Sequence, residues 1–131
     1  MDTSLPRLLW IGLGGACGTM ARWLFSGFLL QALGSSFPYG TLAVNVIGSF
    51  LLGAIMVVGT QTEAISETVR LALTVGVMGG FTTYSTFNYE TIEYARRGAW
   101  GMVLANVSVT LLSCAIAGVL GLGLGRWIAE S

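Results

Sequence analysis

The chain has 131 residues, of which 54% are hydrophobic and only 9% charged, and its six basic and six acidic residues balance to a net charge of zero. Together with a mean hydropathy of +0.79, this composition predicts an integral membrane protein. The chain has no histidine, no lysine, no carboxylate cluster within its apolar segments and no basic patch interleaved with aromatics, so neither an enzyme nor a nucleic-acid-binding protein is expected.

Four apolar segments are predicted to cross a membrane, since each can supply the roughly 20 helical residues that a hydrocarbon core requires. They cover residues 8–30, 39–58, 67–94 and 99–128. Pro38 and Ser66 support these divisions, because proline suits the first turn of a helix and serine is a good N-cap. We therefore predict an all-α membrane protein with a single four-helix transmembrane domain over residues 1–131.

Three polar side chains stand in or near these spans, where hydrocarbon excludes such groups unless they have a partner or a function. Arg22 could reach an interface or attract anions toward a vestibule. The amide of Asn45 offers two donors, which could hold a dehydrated anion or form an interhelical hydrogen bond. Glu90 could pair with a cation or face water. The sequence leaves both alternatives open for each residue.

The third span contains the most informative stretch of the chain, GGFTTYSTF at residues 79–87. Adjacent glycines weaken a helix, and hydroxyl side chains compete with the helical backbone for hydrogen bonds. We therefore predict that the third helix is broken in mid-span, near residues 79–83. Non-helical backbone at membrane depth is tolerated only where it is buried in protein or lines a polar cavity, so the break indicates an ion or substrate site.

The positive charges near the span ends show little preference for one side of the membrane. Those on the side of the two termini are Arg7, Arg70 and Arg126, and those on the opposite side are Arg96, Arg97 and, if it reaches outward, Arg22. Because Lys and Arg bias which loops stay in the cytoplasm, a chain this balanced could insert in both orientations. Two copies could then pair antiparallel.

Three motifs together resemble those of the Fluc family of fluoride channels, also called CrcB-type proteins. They are GGACGTMAR at residues 14–22, GTLAVNVIGSF at residues 40–50, and GGFTTYSTF at residues 79–87 with Glu90 downstream. The resemblance covers essentially the whole chain. It implies an antiparallel, dual-topology homodimer in the plasma (inner) membrane of a prokaryote. Such a channel carries fluoride passively out of the cytoplasm and gives fluoride resistance.

The same resemblance assigns two roles to the broken third helix. It implies a structural Na⁺ at the dimer interface, bound by the backbone carbonyls of Gly79 and Thr82. It also implies that two aromatic rings turn their edges toward the fluoride ion. The matching positions are Tyr84 and Phe87, and Tyr84 departs from the family pattern, which has phenylalanine there.

The resemblance further implies that Asn45, Thr41 near the start of the second helix, and a polar face of the fourth helix line the fluoride pathway. A spacing of four residues places polar side chains on one side of a helix, where they can pass an anion between donors. That face comprises Asn106, Thr110 and Cys114, with Ser108 and Ser113 as alternatives.

Two other classes of protein fit the same length and number of spans. A small four-helix, proton-coupled multidrug exporter also assembles from short chains, but it normally needs an embedded carboxylate, and the first span has no Asp or Glu. A noncatalytic membrane assembly subunit would use the polar residues for packing alone. Fluoride flux in liposomes separates these alternatives from a channel.

Overall fold

The computed structural model describes residues 3–131, so the first two residues of the predicted domain lie outside the described part of the chain. Within this part every regular element is helical, which confirms the all-α prediction. The elements are α1 (Leu5–Leu33), α2 (Tyr39–Gln61), α3 (Glu67–Leu71), a π-helical segment (Ala72–Met78), α4 (Gly79–Phe81), α5 (Tyr84–Arg96) and α6 (Trp100–Glu130). Of these described elements, α1, α2 and α6 are long and apolar enough to cross a membrane, whereas the third predicted span consists of the shorter elements from α3 to α5.

The interruption of the third span lies at Thr82 and Thr83, within the predicted residues 79–83 and after the two glycines. Gly79 keeps helical dihedral angles (φ −62°, ψ −38°), whereas Thr82 and Thr83 are extended, with ψ of 159° and 112°. The N–H and the hydroxyl of Thr82 both donate to the carbonyl of Met78, at 2.9 and 2.8 Å. The Thr83 hydroxyl then caps α5 by accepting from the N–H of Thr86. Hydroxyl side chains, rather than glycine, therefore end one helix and begin the next.

Close backbone contacts between helices hold the bundle together. The largest packing interface joins α2 to α6, and α1 packs chiefly against the π-helical segment. Both interfaces depend on glycine: a Cβ at Gly121 would overlap the carbonyl of Phe50, and one at Gly18 would overlap the carbonyl of Val77. Most large apolar side chains point outward, as in Trp23 and Leu112. This arrangement is typical of membrane bundles, in which small residues let helices approach while the outer surface faces lipid.

The segment α5 is held differently, since Phe87 is its only buried side chain among the described residues. It packs mainly against α6. Polar bonds supply its other attachments: the break is bonded to Asn45, Thr41 donates to Glu90, and Asn106 donates to Thr91. The direction of α5 therefore depends on hydrogen bonds more than on apolar packing.

Replacement of Gly121 by alanine should destabilise the bundle by about 1–3 kcal/mol, because the added methyl group forces α2 away from α6. The matched control is Gly123→Ala on the same helix, where a Cβ would meet no atom within 4 Å. The control should unfold at the wild-type detergent concentration or slightly above it. Unfolding in mixed micelles of SDS and a mild detergent measures both. Equal stability of the two variants would show that the α2–α6 contact is not tight.

Candidate functional site

A groove of about 280 Å³ lies where the break faces α2 and α6. We call it the groove, and its lining consists of Asn45, Gly48, Ser49, Leu52, Thr82, Thr83, Tyr84, Phe87, Thr110, Leu111 and Cys114. Six residues singled out from the sequence therefore meet here, although they come from separate segments of the chain: Asn45, Thr82, Tyr84, Phe87, Thr110 and Cys114. The break brings them together, because Tyr84 and Phe87 lie in the first turn of a new helix beside α2 and α6.

Asn45 binds the backbone of the break through both ends of its amide. Its Nδ2 donates to the carbonyl of Thr83 at 3.0 Å, and its Oδ1 accepts from the N–H of Thr83 at 2.7 Å. These bonds satisfy the N–H and carbonyl of Thr83, which lie outside the helical hydrogen-bond pattern at membrane depth. One N–H of Nδ2 is left over, since a primary amide carries two donors. The interhelical role considered from the sequence is thus present, and a donor remains in the groove.

Two aromatic rings form one wall of the groove. The ring centroids of Tyr84 and Phe87 are 5.9 Å apart, and the ring planes are inclined by 55°. Phe87 is only 8% exposed, whereas Tyr84 is 76% exposed. A tilted pair presents ring edges, which carry partial positive charge, to a neighbouring anion.

Thr110 and Cys114 lie on α6, the fourth predicted span, and both line the groove. Thr110 is 6% exposed, and its Oγ1 is buried without a hydrogen-bond partner among residues 3–131. Buried hydroxyls without a partner are uncommon, because an unmade hydrogen bond costs about 1–3 kcal/mol. Cys114 lies one turn further along the same face. On α6, Thr110 therefore offers a hydroxyl that no described residue bonds, and Cys114 offers a weaker thiol donor.

Asn106 lies away from the groove, although the sequence placed it on the same polar face. It is only 1% exposed, and its Nδ2 donates to Oγ1 of Thr91 at 2.9 Å. Thr91 in turn donates to the carbonyl of Phe87 at 2.8 Å. Asn106 therefore holds α5 against α6. The sequence analysis did not identify Thr91, but its position four residues after Phe87 was a usable signal, since residues so spaced share one side of a helix.

A second and wider cavity, of about 970 Å³, opens beside the C-terminal half of α1 and the start of α2. We call it the cleft, and its polar lining is Thr19, Arg22, Ser26, Gln31, Thr41, Thr83, Ser85, Thr86 and Glu90. Thr41 Oγ1 donates to Oε1 of Glu90 at 2.6 Å, while Oε2 of Glu90 is buried without a partner among the described residues. The cleft thus combines the two charged residues predicted for a vestibule with several hydroxyl groups.

Thr83 lines both cavities, so the groove and the cleft meet at the break. The sequence analysis did not assign it a role, although a threonine just before a helix is a common N-cap. Gly79 borders neither cavity. It is exposed, and a Cβ placed there would meet no atom within 4 Å.

We predict that Asn106→Leu and Thr91→Val each destabilise the bundle by about 0.5–1.5 kcal/mol, since each removes the same interhelical bond. The double variant should lose little more than either single one, because the residues are coupled. Thr60→Val is the control: the Thr60 hydroxyl bonds the carbonyl four residues earlier, that of Met56 at 2.7 Å, as the Thr91 hydroxyl bonds that of Phe87, but Thr60 is exposed. Unfolding in mixed micelles measures all four. Fully additive losses would show that Asn106 and Thr91 do not act as a pair.

Comparison with known proteins places this arrangement in a family. Residues 9–122 match the family model described as "CrcB-like protein, Camphor Resistance (CrcB)". A protein of Sorangium cellulosum (strain So ce56), named fluoride-specific ion channel FluC, is 57% identical over 93% of this chain and 96% of its own length. A protein of the same name from Anaeromyxobacter sp. (strain K) is 48% identical over 95% of this chain and 99% of its own length. These names describe channels, in agreement with the expectation that the chain is not an enzyme. The chain belongs to the CrcB-like family.

Proposed function

We propose that the chain is a fluoride-selective channel that lets fluoride leave the cytoplasm passively and so gives fluoride resistance. The observation that carries the proposal is the buried hydroxyl of Thr110, which has no hydrogen-bond partner among residues 3–131, in a groove walled by Phe87 and Tyr84. The names of the relatives support the choice of ion. The proposed location is the inner membrane of a prokaryote.

The donors of the groove suit a small anion that has lost most of its water. Thr110 offers a hydroxyl, Asn45 a remaining amide N–H, and Phe87 a ring edge. None of them is a fixed positive charge. Weak attraction at several sites lets an ion enter a path and also leave it, which conduction requires. A narrow groove favours fluoride over chloride, because a larger ion would have to push apart groups that are fixed by hydrogen bonds.

The cleft would serve as the entrance to the groove. Arg22 lies there and attracts anions from water, while the Thr41 hydroxyl donates a hydrogen bond to one oxygen of the Glu90 carboxylate in the same cleft. Thr83, which lines both cavities, marks the place where an ion passes from one to the other. The residues from α1 lining the cleft include no Asp or Glu that could couple transport to protons, which disfavours the multidrug exporter.

A second copy of the chain, inserted in the opposite orientation, is proposed to cover the outer side of the break. Asn88 and Tyr89 are exposed on α5 and border neither the groove nor the cleft. Polar side chains at this depth are costly in lipid, so they require a protein or water-filled surface. Another copy provides one, and an antiparallel pair needs a chain that inserts both ways.

The charge distribution supports dual topology. In the described fold, Arg7, Arg70 and Arg126 lie toward the end of the bundle that holds the α2–α3 connection. At the opposite end are Arg96 and Arg97, and Arg22 borders the cleft that opens there. Three arginines therefore stand toward one end and two, or three with Arg22, toward the other, so the positive-inside rule gives neither orientation a clear advantage.

The carbonyls of Gly79 and Thr82 fit the structural Na⁺ that the family resemblance implies at the dimer interface. Both belong to the helix end at the break, where carbonyl groups lose their helical donors, and Gly79 is exposed on the surface of the chain. Oxygen ligands suit a hard cation. When bound, the ion would supply a positive charge shared by the broken helices of two copies.

Purified wild-type protein in liposomes should release trapped fluoride, detected with a fluoride electrode, and should retain chloride. The release should not depend on a proton gradient, because a passive channel moves fluoride down the fluoride gradient alone. Absence of fluoride release from folded protein would overturn the proposal. Release that requires an opposing proton gradient would instead favour an exporter.

In the same assay Thr110→Val should reduce fluoride release at least about tenfold, since one hydrogen bond to an anion is worth roughly 1.5–3 kcal/mol. Thr110→Ser should retain most of the activity. Ser113→Ala is the control on the same helix, because the Ser113 hydroxyl is bonded to the carbonyl of Val109 and lies outside the groove. Unchanged flux in Thr110→Val would show that this hydroxyl does not contact the ion.

Dual topology predicts that a reporter fused to the C terminus is found on both sides of the membrane in similar amounts. Adding two lysines after Arg97 should shift the population toward one orientation, because positive charges hold a loop in the cytoplasm. Compartment-specific alkaline phosphatase and green fluorescent protein fusions measure the two populations. A wild-type reporter found on one side only would exclude the antiparallel dimer.

A further inference from the structure

We infer that Asn45 and Thr83 keep the carbonyls of Gly79 and Thr82 free for a cation, by drawing away the N–H groups that a continuous helix would direct to them. The inference rests on the proposed cation site and deepens it. It assigns Asn45 a second task beside its place in the groove. Both residues are positioning residues here, since they act on the site through the backbone.

The first diverted donor is the N–H of Thr83. In an α-helix the N–H of one residue bonds to the carbonyl four residues earlier, which for Thr83 is the carbonyl of Gly79. Here the N–H of Thr83 donates instead to Oδ1 of Asn45 at 2.7 Å. Nδ2 of Asn45 holds the carbonyl of the same residue at 3.0 Å, which fixes the amide in this orientation. The carbonyl of Gly79 is left without its helical donor.

The second diverted donor is the N–H of Thr86, which a continuous helix would direct to the carbonyl of Thr82. It donates instead to Oγ1 of Thr83 at 3.2 Å, and that hydroxyl donates onward to Oγ1 of Thr86 at 2.9 Å. The side chain of Thr82 does not compete either, because its hydroxyl is bonded to the carbonyl of Met78. The carbonyl of Thr82 is thus released as well.

The two diversions act at the two carbonyls expected to bind the cation, and both depend on Thr83. Without the Asn45 acceptor, the N–H of Thr83 can return to Gly79 and close the helix, because a buried N–H needs a partner. Closing the helix removes a cation ligand. The groove and the cation site are therefore linked through a single backbone unit that Asn45 binds.

Sodium affinity tests this inference without reference to fluoride transport. Asn45→Leu removes the acceptor, whereas Asn45→Asp keeps an oxygen that accepts from the N–H of Thr83. Thr83→Val removes the second acceptor, and Thr83→Ser keeps it. We expect Asn45→Leu and Thr83→Val to bind Na⁺ about tenfold more weakly, the equivalent of about one net hydrogen bond. Asn45→Asp and Thr83→Ser should bind at least as tightly as wild type, even if the added carboxylate of Asn45→Asp slows fluoride.

The measurement is the Na⁺-dependent rise in unfolding temperature of the purified full-length protein, with N-methyl-D-glucamine replacing Na⁺ at constant ionic strength. Ser66→Ala is the matched control, because Ser66 caps α3 by accepting from the N–H of Val69 at 3.3 Å. It should lower stability without altering the response to Na⁺. If Asn45→Leu does not fold, the Thr83→Val and Thr83→Ser pair decides.

Two results would overturn the inference, and they are distinguishable. A wild-type response to Na⁺ that Asn45→Leu and Thr83→Val retain in full would reject it while leaving the cation site in place. A wild-type protein that Na⁺ does not stabilise would reject the cation site and the inference together. Fluoride release from liposomes is measured separately and would stand in either case.

Discussion

The paired hydrogen bonds between the amide of Asn45 and the backbone of Thr83 are the interaction on which the rest of the site depends. A helix can be interrupted at membrane depth only if its freed backbone groups find partners, since each unsatisfied group costs several kcal/mol in hydrocarbon. One side chain on α2 satisfies both groups of the extended residue. The interruption then sets the direction of α5, and with it the place of Tyr84 and Phe87.

The bundle divides into a tightly packed frame and a segment tied to it by polar bonds. In the frame, glycines allow α2 to touch α6 and α1 to touch the third span, with backbone against backbone. The segment is α5, which buries the side chain of Phe87 and is bonded to α6 through Thr91 and Asn106. Such a division suits an ion path, because packing gives stability without polar groups and the polar segment supplies the donors.

Much of this could be predicted from the sequence, because hydrocarbon makes polar residues and breaks conspicuous. Asn45, Thr110 and the GGFTTYSTF stretch stand out in apolar surroundings, and the structure brings Asn45, Thr110, Tyr84 and Phe87 to one groove. The exact residues of the break, Thr82 and Thr83, were harder to predict. The role of Gly80 could not be read from the sequence: it lets two helices pack closely, since a Cβ there would lie 2.5 Å from the carbonyl oxygen of Gly15. The orientation of Asn106 was equally hidden, since a period of four residues does not tell whether a side chain meets a cavity or a neighbouring helix.

The glycines of this chain also differ in whether packing within the chain requires a residue without a side chain. Most glycines at helix contacts are required by the fold of the single chain, because another helix occupies the space that a side chain would need. The fold of the single chain does not require glycine at position 79, because a Cβ on Gly79 would meet no atom within 4 Å and its dihedral angles are ordinary for any helical residue. Its side-chain position is open to whatever lies outside the chain. Assays that report only expression or single-chain folding would therefore score alanine at this position as harmless, and would overlook any constraint that an assembled membrane complex places on it.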